Sequence, residues 1–194
     1  MAGPPAVQVH PSALCESDTV GEGTRIWAFA HVTPGAVIGR DCNICDHAYV
    51  EGGAVLGDRV TVKNAVMVWH GVTVGDDVFL GPGMVFTNDL VPRSRSLQGE
   101  RDWMVRTRVG NGVSLGAHVT VVCGIEVGDY AFAGAGSVLV RDVAPHALVV
   151  GNPARQIGWA CVCGMRLTDD LSCQHCGRRF ELSGPGELRE IDPG

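Results

Sequence analysis

From Val20 onward, every sixth residue is apolar. The first positions run Val20, Ile26, Val32, Ile38, Ile44, Val50, Leu56, Val62, Val68, Val74, Leu80 and Phe86. After a break the register resumes at Val109, Leu115, Val121, Val127, Ala133 and Leu139. Fifth positions are small or aliphatic: Ala30, Ala36, Cys42, Ala48, Ala54, Val60, Val66 and Val72. Glycine often holds the second position, as at Gly21, Gly39, Gly57 and Gly75. A helix would need apolar spacings of three and four, which this pattern lacks. Two inward positions per six residues fit a coiled β-ribbon instead. Each six supplies a short strand and a corner, and neighbouring coils pair backbone to backbone about 4.8 Å apart. The expected fold class is all-β, a parallel β-helix over residues 20–144. Residues 1–19 show no clear period and are expected to form a lead-in that covers its first end.

Composition agrees. The chain holds 27 glycines in 194 residues, about twice the usual share of roughly 7%, as many tight corners require. With 45% apolar and 19% charged residues, it is globular with a sizeable core. A formal net charge of −6 argues against broad nucleic-acid binding. No apolar run approaches the roughly 18 residues that span a membrane. The start, MAGPPAVQVH, has neither a basic n-region nor an apolar h-region. The expected setting is therefore cytoplasmic. There the eight cysteines stay reduced or bind metal rather than form a disulfide framework.

Three segments depart from the repeat. At Pro92–Asp102, PRSRSLQGERD leaves the coil before Trp103 rejoins it, and loops that leave a rigid scaffold tend to carry function. Past Ala144 comes PHALVVGNPARQIGW, a closing segment over 145–159 with a turn at Gly151-Asn152-Pro153. Residues 160–181 then carry Cys161, Cys163, Cys173 and Cys176, each pair followed by glycine. That pattern suits a tetrahedral Cys₄ zinc ribbon. The second pair has the standard C-x-x-C spacing, whereas the first is one residue short, and His175 is an alternative ligand. The other reading is four unmetallated thiols. No open coordination position is suggested, so the Zn²⁺ would be structural, folding a segment too short to have its own core. Cys42 falls on an inward position and belongs to the core. Cys15, Cys45 and Cys123 lie outside the cluster. Residues 182–194 are Gly/Pro-rich and charged, and are expected to form a loose tail.

The runs IWAFAHVTPGAVIG, GPGMVFTNDLVPRS, VVCGIEVGDYAFAGAGSVLVRDV and ALVVGNPARQIGW resemble the hexapeptide-repeat acyltransferases. Within that family they look like the N-acyltransferases acting on 3-amino sugars of nucleotide-sugar donors. The resemblance covers about residues 10–180. It implies a left-handed helix, where the general rule for parallel crossovers favours the right hand. It also implies 18-residue three-sided coils, acetyl-CoA as cosubstrate, and a homotrimer with sites between subunits. One branch of the group acylates UDP-2-acetamido-3-amino-2,3-dideoxyglucuronate, the other dTDP-3-amino-3,6-dideoxyhexoses. The GWACVCG continuation leans toward the uronate branch.

A three-sided coil stacks residues 18 apart. One column is then Pro34, Gly52, His70, Asn88, and its neighbour is Thr33, Glu51, Trp69, Thr87. Trp69, His70, Thr87, Asn88 and Asp89 form one patch just before the break. A sugar amine must be neutral to attack a thioester, and the site must hold a developing oxyanion and a departing thiolate. Asn88 is expected to orient the amine through its side-chain carbonyl, as its counterpart in the resembling family contacts the sugar amine. His70 either takes the proton or contacts the sugar. The family pattern at that position is more often acidic, and the proton could instead pass toward the thiolate. Glu51, Trp69 and Asp89 are further substrate-binding candidates, with Arg93, Ser94 and Lys63 for the diphosphate. Gly134-Ala135-Gly136-Ser137 resembles the family's pantetheine strip. Its small side chains let backbone groups meet the pantetheine arm. Gly116 and Asn152 join the cofactor set, and Arg141 and Arg155 could meet phosphates.

His31, His47 and His118 read as surface or packing residues. The same coil hosts γ-class carbonic anhydrases, but His47, His70 and His118 lack the close histidine pair which that metal site needs. A non-catalytic sugar-binding scaffold is the remaining rival.

Overall fold

The computed structural model describes residues 6–94, 104–184 and 187–191. Strands of two or three residues alternate with tight corners, and each coil contributes one strand to each of three parallel faces. The first face holds nine strands, from Gln8–Val9 to Arg155–Trp159. The second holds seven, from Leu14–Cys15 to Val138–Leu139. The third holds six, from Thr19–Val20 to Glu126–Val127. Among the described residues there is no helix, and so none long and apolar enough to cross a membrane.

The apolar first and fifth positions fill the interior. Ile26, Val32, Ile38, Ile44, Val50, Leu56, Leu80, Phe86, Leu115 and Leu139 point inward and are buried, with Ala30, Ala36, Cys42, Ala48 and Val60 beside them. Removing each Val- or Leu-sized side chain from water contributes about 1.5–3 kcal/mol, so a stack of such layers offsets the ordering of many short strands. The second-position glycines have a steric cause. A Cβ on Gly39 would lie 2.4 Å from the carbonyl oxygen of Gly57 in the next coil. The corner can pass that close to its neighbour only without a side chain.

The corners after the third face carry a ladder of side-chain caps. Asp58 Oδ1 accepts the Arg40 amide at 2.8 Å, Asp76 Oδ1 accepts that of Asp58 at 2.8 Å, Asn111 Oδ1 accepts that of Asp76 at 2.9 Å, and Asp129 Oδ1 accepts that of Asn111 at 2.7 Å. Each link satisfies an amide that the coil geometry leaves unpaired. Beside the ladder, Arg59 grips Asp77 through two hydrogen bonds of 2.6 and 2.8 Å.

The ends differ from the sequence reading. The lead-in is itself a coil, because Gln8–Val9 pairs with Arg25–Ile26 and Leu14–Cys15 with His31–Val32. These pairs are 17 positions apart, against 18 for Val20 and Ile38. One residue is missing from the first turn, so its sixfold frame is displaced. The last turn is shorter still, with Ala133 pairing Val149. The 145–159 segment therefore continues the first face through Ala147–Val150, then turns back antiparallel as Arg155–Trp159. Part of the stretch expected as a loose tail forms a hairpin with the end of the cysteine module, Arg179–Gly184 against Glu187–Ile191. An Arg178–Glu190 ion pair at 3.1 Å and the contact of Arg189 with Glu181 brace it.

Candidate active site

The coil opens once. Val74 pairs with Val109 where an 18-residue coil would have offered position 92, and the third face then continues unbroken. The chain leaves after Asn88 and returns at Met104. Most of the Pro92–Asp102 break, and Trp103 with it, lies outside the described residues. The two limbs meet at the base, where the Asn88 carbonyl accepts the Val105 amide at 3.1 Å.

At this base the structure gathers most of the substrate candidates. A cavity of about 490 Å³ is lined by Glu51, Trp69, Asn88, Asp89, Pro92, Arg93 and Ser94. The Trp69 indole N–H donates to the Phe86 carbonyl at 2.9 Å, which leaves its ring to form a wall. Thr87 Oγ1 accepts the Cys123 amide at 2.9 Å and pins the strand end under Asn88. Asp89 Oδ1 accepts the Val91 amide at 2.8 Å, shaping the exit turn. Glu51 Oε2 accepts the His70 amide at 2.8 Å. Two carboxylates, an indole face and a carboxamide at one wall suit an ammonium or amine, and Arg93 suits an anion beside it.

His70 is not among the lining residues. It is exposed, and its ring stands over Gly53. Gly53 has φ +84, and a Cβ there would lie 2.4 Å from His70 Nδ1. Three other histidines make local contacts. His31 bonds Glu16 at 2.8 Å, His47 stacks on Phe29 at 5.0 Å, and the His118 ring lies over Gly83.

Lys63 lies elsewhere. It follows Val62 on the first face, and the pairing Val62–Leu80–Leu115–Ala133 places Lys63, Gly81, Gly116 and Gly134 in one column. That column runs along the edge between first and second faces, whereas Asn88 sits on the edge between second and third. Lys63 thus belongs with the expected pantetheine strip. In that strip Ser137 is buried with Oγ donating to the Gly134 carbonyl at 2.6 Å. Gly136, at φ +72, opens onto free space. Arg141 shares the Asn88 edge two coils on, because Phe86 pairs with Val121 and Val121 with Leu139. Arg141 and Arg155 flank a cavity of about 240 Å³ at the end of the coil. Asn152 is exposed in the turn beside it.

Sequence reasoning missed Arg106 and Arg108. They line a cavity of about 640 Å³ on the third face with Thr73, Asn111, Glu126 and Asp142. Arg108 pairs with Glu126 at 3.7 Å. Their signal was the RTRVG run immediately after the break.

The four cysteines of the C-terminal module converge. Their sulfurs all lie within 4.8 Å of one another, with Cys161–Cys176 at 3.4 Å and Cys163–Cys173 at 3.5 Å. A tetrahedral zinc with bonds near 2.3 Å places sulfurs at about this separation, so the donor set fits the ion. Burial pushes the Cys161 thiol up to about 12, while the Arg178 backbone amide and side chain bring Cys176 down to about 6. The knuckle docks on the coil through His146. Its carbonyl accepts the Ala160 amide at 2.7 Å, and its ring lies between Tyr130 and Phe180 at 5.1 and 5.4 Å.

Comparisons with known proteins bear on this geometry. The bacterial transferase hexapeptide (six repeats) model matches residues 19–52, and the hexapeptide repeat of succinyl-transferase matches 106–141. The chain is 48% identical over 177 residues to the dTDP-3-amino-3,6-dideoxy-alpha-D-galactopyranose 3-N-acetyltransferase of Aneurinibacillus thermoaerophilus, covering 90% of this chain and 91% of that relative. The acetyltransferase domain of PglB from Neisseria gonorrhoeae, solved with acetyl coenzyme A, aligns at TM-score 0.58 and 27% identity. That alignment covers 79% of this chain and 58% of that one. The UDP-N-acetylglucosamine acyltransferase of Francisella novicida shares the fold at TM-score 0.58 and 16% identity, over 79% of this chain and 68% of that one. With 48% identity to such a relative over 90% of its length, the chain belongs to the hexapeptide-repeat nucleotide-sugar N-acyltransferases.

Proposed function

We propose that the protein transfers an acetyl group from acetyl-CoA to the 3-amine of a dTDP-linked 3-amino-3,6-dideoxyhexose. The observation that carries this reading is the single cavity joining Asn88, Glu51, Asp89, Trp69 and Arg93 at the foot of the break. The 48% identity to a dTDP-sugar acetyltransferase over 90% of this chain favours this branch over the uronate branch suggested by GWACVCG.

Glu51 and Asp89 draw in the sugar ammonium, and Arg93 with Ser94 meets the diphosphate. Once the amine is neutral, the Asn88 side-chain carbonyl accepts one of its N–H groups and aims the nitrogen lone pair at the thioester carbon. The new C–N bond forms as the carbonyl becomes an oxyanion. Collapse of that intermediate breaks the C–S bond and expels the CoA thiolate, which takes up the amine proton directly or by way of His70. Released thiol, followed while dTDP- and UDP-linked amino sugars are offered in turn, tests the reading. No thiol release with any nucleotide-linked amine would overturn it and favour a non-catalytic binding scaffold. Release with the uronate alone would restore the other branch.

Asn88 and the Gly134–Ser137 strip occupy different edges of one prism. Their separation supports a homotrimer in which the strip of one copy, with Lys63 and Gly116, faces the Asn88 edge of another. Light scattering tests it, and an active monomer would refute it. The convergent cysteines support a structural zinc. None of the eight cysteines is in a disulfide, which suits a reducing cytoplasm.

A further inference from the structure

Three aromatic rings climb the outside of the coil from the candidate site. Trp69 lines the site cavity. The Tyr49 ring lies 5.6 Å from the Trp69 ring at an interplanar angle of 55°, and the His31 ring lies 5.5 Å from Tyr49 at 79°. Glu16 holds His31 at the far end through a 2.8 Å contact, and both side chains remain partly exposed, at 38% and 42%. The interior does not require the outer two rings, Tyr49 and His31. Tyr49 and His31 sit at the sixth position of their repeats and face outward, each beside a fully buried valine, Val50 and Val32.

We propose that Tyr49, flanked by Trp69 and His31, is the platform on which the nucleobase of the sugar nucleotide stacks. The proposal rests on the reading of the site as a nucleotide-sugar acyltransferase. Register supplies the distance. Gly52 shares the Asn88 column, and Tyr49 lies three residues before it. Tyr49 is therefore two strand spacings, about 10 Å, along the axis from Asn88 and about 10 Å back along the coil. That separation is what a diphosphate and a pentose span between a sugar and a pyrimidine. With the amine at Asn88 and the diphosphate at Arg93, the base comes to rest on the second face beside Tyr49. There the Glu16–His31 pair offers a carboxylate acceptor for the pyrimidine N3–H. Flat rings stack on any base, so the platform supplies affinity and the Glu16–His31 pair supplies the preference for a base with a ring N–H, such as thymine or uracil.

The test uses the full chain, with dTDP and inorganic pyrophosphate as inhibitors and an amino-sugar nucleotide as substrate. Tyr49→Ala is expected to raise KM for the sugar nucleotide, and Ki for dTDP, by at least about fivefold, the low end of one lost base stack. KM for acetyl-CoA, Ki for pyrophosphate and the melting temperature stay within about twofold or a degree of the unsubstituted values, and Tyr49→Phe restores binding. If alanine unsettles the strand, Tyr49→Leu keeps the bulk and is expected to show the same loss. Unchanged dTDP inhibition in Tyr49→Ala or Tyr49→Leu would overturn the platform. So would an equal loss for pyrophosphate, because the defect would then lie with the phosphates. Tyr49-dependent dTDP binding in a protein that acetylates no amine would sustain the platform and sink the proposed reaction, so the two ideas fail separately.

Discussion

The Asn88 carbonyl accepts the Val105 amide at 3.1 Å and staples the two limbs of the break together. The residue proposed to hold the sugar amine is therefore fixed by its backbone, and it lines the cavity. Asn88→Ala removes the carboxamide and keeps the staple. It is expected to lower kcat/KM by about 10²-fold, the scale of losing one positioned polar group at a reacting centre. The melting temperature should hardly move. A large drop in melting temperature would reassign Asn88 to the scaffold.

His70 is expected to matter less. If the amine proton passes directly to the thiolate, His70→Ala keeps kcat within about threefold and leaves its pH profile in place. A fall of about 10²-fold or more in kcat would instead make His70 the proton carrier.

Gly53→Ala tests the corner beneath His70. The residue lies in the left-handed region at φ +84, and the new methyl would meet the imidazole at 2.4 Å. The expected cost is about 1–3 kcal/mol in denaturant unfolding. The double change Gly53→Ala with His70→Ala should recover part of that loss, since it removes the collision and leaves the dihedral strain. No recovery would mean that the backbone alone sets the cost.

Acid stability should depend on the Arg59 cluster. The Arg59 hydrogen bond, with its charge, holds the Asp77 carboxyl below its ordinary value, and the Arg40 backbone amide does the same for Asp58. A depressed carboxyl contributes stability that is present above its unfolded pKa of about 3.9 and is lost as pH falls through the folded value. Asp77→Asn should therefore melt lower than the unsubstituted protein near neutral pH, and the two should converge as the pH falls through the depressed carboxyl value. Parallel curves at every pH would show that the ion pair contributes nothing.

The C-terminal module should contain about one zinc per chain. Chelation, or Cys173→Ser, is expected to lose the metal and abolish the near-ultraviolet signal of Trp159, which packs against the cysteine cluster. Elemental analysis showing no zinc in protein purified without chelator would contradict the assignment.

The coil was legible because its physics is periodic. Each inward residue from Ile26 to Leu139 meets the same steric demand as the one six places earlier, so the pattern repeats in the letters. Its ends were not legible, because they break the period that announces the fold. The turn from Gln8 to Val20 lacks one residue, and Val9 and Leu14 remain exposed on it. The terminal hairpin has only Phe180 buried, within the cysteine cluster. It owes its pairing to charged partners that also suit a loose tail. At the site, the column through His70 and Asn88 followed from counting by 18. The displacement of Lys63 to another edge needed only the same counting. The direction of the His70 ring over Gly53 needed coordinates.

The cap ladder passes from Asp76 to Asn111 across 35 positions with the same 2.9 Å bond that an uninterrupted coil would make. The extra residues of the break leave this ladder undisturbed. The break is an exchangeable cassette. Its length and composition can drift, or be swapped between relatives, without disturbing a core layer. Substrate range and scaffold stability can therefore evolve as separate traits in this chain.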